Sequence, residues 1–309
     1  MAGRLVLLCP GQGGQHPGMF DMARSDPAAS SLLDAWFADP ALGPLLRAAV
    51  EGEARFANAV AQPSIVAATL AMWTALGELP APPALVAGYS IGELSAYGVA
   101  GALDPLDAVR LAAERALLMN ACLADGQRQG MVALSGMPAE TVEPLLQRFG
   151  FHPAIVNGED SLVAGGPAEG RERLAEAAAA AGGKVTLLPV ELASHTPYLQ
   201  GAVAPFAALL AGQRWSAFTC PVLSGISAEG VEDAAKAMAE LPRQIAEPIR
   251  WKDCMDACAE AGATVALELG PGAALSRMLQ VRHPKIACRS VTEFRSLDGI
   301  RSWLGGQLE

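Results

Sequence analysis

Ala84-Leu85-Val86-Ala87-Gly88-Tyr89-Ser90-Ile91-Gly92-Glu93 runs from a short apolar segment, past a serine set between two glycines, into a helical pattern that continues to Ala100. Residues 88–92 fit G-x-S-x-G, and a strand before with a helix after is the setting that pattern requires. The turn is tight, so a Cβ at either glycine would strike the adjoining strand or helix. It lifts the serine Oγ above the sheet and aims backbone N–H groups at a helix N-terminus toward an incoming carbonyl. A strand–helix turn without chemistry could carry the same five letters. The reading therefore depends on partners elsewhere in the chain.

Upstream, residues 4–9 read as a buried strand that runs into Pro10-Gly11-Gln12-Gly13-Gly14-Gln15. A dinucleotide loop needs glycine at position 16, which is His16, and no Gly-Lys-Ser/Thr follows for a phosphate loop. The loop can instead bring the N–H of Gln12 beside that of Ile91 as a two-donor oxyanion hole. One basic residue and a very short apolar run precede the glycines, which reads as a strand and not as a secretory signal. With no uninterrupted apolar stretch of about 18 residues read from the sequence, no membrane span is expected and a cytoplasmic location is.

Helical patterns occupy about 28–50, 62–77 and 105–122. The composition turns polar near 123–130. Beyond it come a strand at 131–134, a helix at 138–149, a hairpin of 153–157 with 162–165, an alanine-rich helix at 167–182 and a strand at 185–190. That β-α-β-β-α-β order is the ferredoxin-like arrangement, and it suits a small α+β subdomain inserted into a larger α/β domain. Helices at 197–211 and 232–246, strands at 221–224 and 264–268, and a turn at 270–272 resume the larger unit. The expected division is 1–124 with 194–309 for the large domain and 125–193 for the small one.

With 51% hydrophobic and 17% charged residues, the 309-residue chain can fill a large core. A net charge of −10 argues against nucleic-acid binding. An acidic partner would need a local basic patch, for which Arg282, Lys285, Arg289 and Arg295 are candidates. The six cysteines are scattered, no histidine stands at ligand spacing beside Cys254 and Cys258, and no metal site is expected. Those two cysteines, at i and i+4, should share a helix face.

A nucleophilic serine needs a base, and there are four histidines: His16, His152, His195 and His283. His195, in Leu192-Ala193-Ser194-His195-Thr196-Pro197, stands where the inserted segment hands back to the large domain, which is where a cleft would form. Arg115 lies on a helix expected near the serine turn. If it faces the cleft, its planar fork would match a substrate carboxylate bidentately.

Several of these pieces coincide in order, and the chain resembles the malonyl-CoA:acyl-carrier-protein transacylase family. The matching residues are Gly11-Gln12-Gly13-Gly14-Gln15, Gln62-Pro63, Gly88-Tyr89-Ser90-Ile91-Gly92-Glu93, Arg115 with Met119, Ser194-His195, Gln244 before Pro248-Ile249-Arg250-Trp251, and Glu268-Leu269-Gly270-Pro271-Gly272. The resemblance implies an α/β-hydrolase-like core with a parallel sheet plus the inserted ferredoxin-like subdomain. It implies Ser90 as the acylated nucleophile, His195 as base and then acid, and Gln12 and Ile91 as oxyanion donors. Arg115, Met119 and Gln244 would bind the substrate, Arg115 by pairing with the malonyl carboxylate. In this family backbone carbonyls near the residue matching Gln244 orient the histidine, so no Asp completes a triad. No bound cofactor is implied; a coenzyme A thioester is the substrate, and an acyl carrier protein the partner.

Tyr89 departs from the family, which usually has histidine before the serine. The run from Gly88 to Gly98, and Arg289-Ser290-Val291-Thr292-Glu293-Phe294-Arg295-Ser296-Leu297, resemble the epsilon subunit of bacterial malonate decarboxylase. That branch charges the decarboxylase's own carrier subunit, which bears a phosphoribosyl-dephospho-coenzyme A arm. Alternative readings are a malonyl transferase of fatty-acid or polyketide synthesis and a serine esterase or thioesterase. The Ala193-Ser194-His195 run, by analogy with polyketide acyltransferases, leans toward a bulkier methylmalonyl unit.

Overall fold

The computed structural model describes residues 3–123 and 128–309, with the backbone alone at Ala139. Strand β1 (Leu5–Cys9) is buried along its length, as suits a strand in a parallel sheet covered on both faces. Helices α1 (Pro27–Ala38), α2 (Leu42–Glu51) and α3 (Asn58–Leu76) follow. A single helix over 28–50 was expected, but the chain breaks at Asp39-Pro40. Asp39 is extended, as the residue before a proline prefers, and its Oδ1 accepts from the N–H groups of Ala41 and Leu42 to start the second helix.

Helix α3 starts four residues before the expected 62 and takes Pro63 into its interior. Among the described residues it is the one helix long and apolar enough to cross a membrane, with a mean hydropathy of 1.4, and 83% of that apolar window is buried inside the protein. Charges and prolines were expected to break the alanine-rich segments, but this helix carries no charged residue and runs through Pro63.

Strand β2 (Leu85–Gly88) pairs in parallel with β1, Gly88 opposite Cys9. After Tyr89, Ser90 and Ile91, helix α4 (Gly92–Val99) begins, and α5 (Pro105–Asn120), capped by the Asp104 carboxylate, packs on α3. The inserted unit comprises β3 (Gln129–Ser135), α6 (Ala139–Phe149), β4 (His152–Val156), β5 (Ser161–Pro167), α7 (Arg171–Ala180) and β6 (Lys184–Leu188). Its strands lie in the order β4-β5-β3-β6, antiparallel throughout, which is the ferredoxin-like order that was expected. Within the polar segment at 123–130, residues 124–127 lie outside the described residues, and β3 begins at Gln129.

The chain returns through α8 (Gln200–Ala211), β7 (Val222–Leu223), β8 (Gly230–Val231), α9 (Ala234–Glu240), α10 (Trp251–Glu260), β9 (Val265–Glu268), α11 (Ala274–Arg282), β10 (Ala287–Ser290) and α12 (Leu297–Leu308). The large sheet has the order β10-β9-β1-β2-β7-β8, with only the β7–β8 pair antiparallel. The helix expected over 232–246 ends at Glu240, and after Pro242 a short 3-10 turn, Arg243–Ile245, places Gln244. The inserted sheet is tied to the core along β4. Val156 N–H donates to the Ile249 carbonyl at 2.8 Å, and Ile249 N–H to that of Ala154 at 2.9 Å.

Candidate active site

Ser90 stands in the turn between β2 and α4 with φ at 57°, a left-handed conformation that an L residue holds only when its surroundings impose it. The glycines on either side make the turn possible. A Cβ at Gly88 would overlap the backbone of Glu93, and one at Gly92 the carbonyl oxygen of Cys9. His195 has the second such conformation, at 63°. Its N–H donates to the Ile245 carbonyl at 2.9 Å.

The two side chains meet. Ser90 Oγ lies 2.7 Å from His195 Nε2, and His195 Nδ1 lies 2.5 Å from the Gln244 carbonyl oxygen. A carbonyl can only accept, so Nδ1 carries the hydrogen and Nε2 is left as the acceptor for the serine hydroxyl. His195 is 1% exposed. Burial foremost, and then the charge of Arg115, hold its pKa down to about 3, while the bond to the Gln244 carbonyl acts the other way. The imidazole is therefore a neutral base over the ordinary pH range. A main-chain carbonyl stands where an aspartate would in a triad.

Arg115, on α5, points inward and is 1% exposed. Its Nη1 donates to Gln62 Oε1 at 2.7 Å and its Nη2 to Gln244 Oε1 at 3.0 Å, while Nε has no partner. No carboxylate pairs with it directly among the described residues, and desolvation lowers its pKa to about 10. Met119, one turn further along α5, sets its Sδ 3.2 Å from Gln62 Nε2. Gln244 joins the parts: its Nε2 donates to the Ser90 carbonyl at 3.0 Å and to Glu93 Oε2 at 2.6 Å.

The glycine loop lies against the turn, since a Cβ on Gly11 would touch the Tyr89 carbonyl oxygen and ring. The side chain of Gln12 is drawn away to Asn58 Oδ1 at 3.1 Å, so what Gln12 can offer the serine is its backbone N–H. A cleft of about 1050 Å³ between the core and the inserted unit reaches this loop, with Gln12, Asn58, Leu123, Arg128, Arg171 and Leu192 on its walls. A second hollow of about 530 Å³, among His16, Met19, Pro271 and Arg295, holds none of the residues above.

The other histidines lie elsewhere. His16 is exposed, His152 packs edge-on against Tyr198, and His283 bonds Asp256 at 2.8 Å. Cys254 and Cys258 are both buried on one face of α10, as their spacing predicted, and all six cysteines are free. Of the four basic candidates for a docking patch, Arg282 is held by Asp256 and Glu159, and Arg289 by Glu293. Tyr89 is partly buried: its hydroxyl is 3.3 Å from Asn157 Oδ1, its ring packs on Trp251, and desolvation pushes its pKa up to about 12. Asn58, which links Gln12 to Gln62, and the buried Glu93 were assigned no role from the sequence. A lone acid in an otherwise apolar helix, three residues after Ser90, was the available signal for Glu93.

A serine on a strand–helix elbow, bonded to a buried neutral imidazole in an α/β core, marks an acyl-transfer enzyme. The chain belongs to the acyl transferase domain family, which it matches over residues 6–285. It is 35% identical over 302 residues to the malonyl CoA-acyl carrier protein transacylase of Mycobacterium tuberculosis, covering 96% of this chain and 99% of that one. The crystal structure of the malonyl-CoA:acyl carrier protein transacylase from Xanthomonas oryzae superposes with a TM-score of 0.90 at 27% identity, covering all of both chains. A malonyl-transacylase in complex with a type II polyketide acyl-carrier protein superposes at 0.87 and 27% identity, covering 96% of this chain and 98% of that one.

Proposed function

We propose that this chain transfers a malonyl group from malonyl-CoA to the thiol of an acyl carrier protein through a malonyl ester on Ser90. The observation that carries the reading is Arg115, a buried guanidinium with glutamine oxygens as partners and no direct carboxylate among the described residues. A fixed cation with no carboxylate bonded to it is a receptor for an anionic group, and Gln244 alone separates it from the Ser90 backbone.

In the forward half-reaction His195 Nε2 takes the hydroxyl proton as Ser90 Oγ attacks the thioester carbonyl. The N–H groups of Gln12 and Ile91 hold the oxyanion. The C–S bond then breaks, the coenzyme A sulfur receives the proton from His195, and malonyl-serine remains. The carrier's thiol returns a proton to His195 and attacks the ester, and Ser90 Oγ is reprotonated as it leaves. The clamp has a second effect. Because the charge of Arg115 depresses the basicity of His195, a malonyl carboxylate that neutralises it makes the imidazole a stronger base once the substrate is bound. In this reading residues 1–124 and 194–309 supply the catalytic domain, residues 125–193 the wall of the cleft, and Met119 packs beside the acyl group.

Arg115→Ala tests the reading. Loss of a desolvated bidentate pair costs about 2–5 kcal/mol, so kcat/KM should fall far more for malonyl-CoA than for acetyl-CoA. Equal losses for both would refute the carboxylate role, and release of free malonate without transfer would favour a thioesterase. Tyr89 before the nucleophile and the 289–297 run support the finer reading, in which the carrier belongs to malonate decarboxylase. Transfer to carriers bearing the phosphoribosyl-dephospho-coenzyme A arm or phosphopantetheine separates that role from fatty-acid or polyketide synthesis.

A further inference from the structure

Glu93 is a fully buried carboxylate for which the mechanism above has no use. Its Oε2 accepts from Gln244 Nε2 at 2.6 Å and from the Gly225 N–H at 2.9 Å, and its Oε1 faces the Tyr97 hydroxyl at 3.5 Å. None of these partners is a cation. An acid buried without an ion pair is costly to keep ionised; desolvation accordingly lifts its pKa to about 7, against the opposing bonds from Gly225 and Gln244. Arg115, the cation of the site, is reached only through Gln244.

Three neighbours dictate how the side-chain amide of Gln244 must lie. The Ser90 carbonyl and the Glu93 carboxylate accept, so both require its NH2 end. The Arg115 guanidinium only donates and requires its oxygen. One orientation satisfies all three. The flipped amide would set N–H against guanidinium N–H, and a carbonyl against two acceptors. Of the two acceptors, Glu93 is the one that can be charged, and a charge-assisted bond is roughly twice as strong as a neutral one.

We propose that Glu93 is a positioning residue: its carboxylate locks the Gln244 amide so that the amide oxygen holds Arg115 in register for the acyl carboxylate, which sets acyl selectivity without contact with the substrate. This rests on the reading of Arg115 as the carboxylate clamp. In Glu93→Gln the Gly225 N–H still draws an oxygen to this position, so Gln244 keeps an acceptor there but loses the charge that strengthens the bond and holds the lock.

The test compares kcat/KM for malonyl-CoA and acetyl-CoA in the wild type, Glu93→Gln, Gln244→Met and the double variant. Gln244→Met keeps the backbone carbonyl that holds His195 and removes only the amide. The malonyl-to-acetyl ratio should fall about tenfold in Glu93→Gln, mainly through KM, as a coupling near 1.4 kcal/mol implies. The double variant should lose no more than Gln244→Met alone. An unchanged ratio, or losses that multiply in the double variant, would overturn the proposal. If Glu93→Gln does not fold, Gln244→Met carries the test: it must lower the same ratio by a similar factor, and an unchanged ratio overturns the proposal. Arg115→Ala checks the underlying reading separately. A ratio that collapses there but survives Glu93→Gln removes only the positioning role.

Discussion

At the scale of single residues, the site is organised by opposite treatments of two titratable groups. His195 is buried as a neutral base with its pKa lowered to about 3, and Glu93 is buried with its pKa raised to about 7. The signs lead to opposite pH dependences. Below about 6.5 an unfolded chain protonates this histidine while the folded one does not, so stability is lost as pH falls toward 3. Glu93 contributes stability below about 4.5, and that contribution is lost as pH rises through 7. In solution, the His195 ring should show no titration by NMR between pH 8 and 5; a ring that titrates near 6.5 would contradict its burial as a neutral base. Ser90 was legible from its flanking glycines and His195 from its place at the return of the inserted segment. Glu93 was not, because nothing in a one-dimensional pattern says that it meets the cation of the site through a glutamine 151 positions away.

At the scale of elements, the turn from β2 to α4 was readable because its constraint is local. Gly92→Ala puts a Cβ into the Cys9 carbonyl of the neighbouring strand, where backbone has no rotamer with which to yield. It should cost about 3 kcal/mol by denaturant unfolding and lower transfer with it, and a variant of wild-type stability would show that the turn is looser than described. The first helical region was misread because the punctuation at Asp39-Pro40 is two residues long inside a continuous helical pattern. Strands β8 and β10 went unread for a different reason. The first has only two residues, and the second, Ala-Cys-Arg-Ser, is half-buried and lacks the β-branched residues that announce a strand.

For the whole molecule, the inserted sheet is fixed to the core at one edge by the β4–Ile249 backbone bridge, by Tyr89 with Asn157, and by Glu159 with Lys252 and Arg282. The ferredoxin-like order was visible in the sequence; this seam was not, because its contacts join residues far apart in the chain. Arg282 belongs to the seam, so its charge is committed. Lys285 and Arg295 make no ion pair among the described residues and are the better candidates to meet an acidic carrier on a chain of net charge −10. Arg295→Glu should slow transfer several-fold at low ionic strength and converge on the wild type at about 1 M salt, where charges are screened beyond about 3 Å. Equal rates at low salt would exclude Arg295. Intact-mass measurement after mixing with malonyl-CoA should show one malonyl group added to the wild type, discharged by a holo carrier protein, and none on Ser90→Ala. An adduct that persists on Ser90→Ala, or a wild type that never acquires one, would contradict the account.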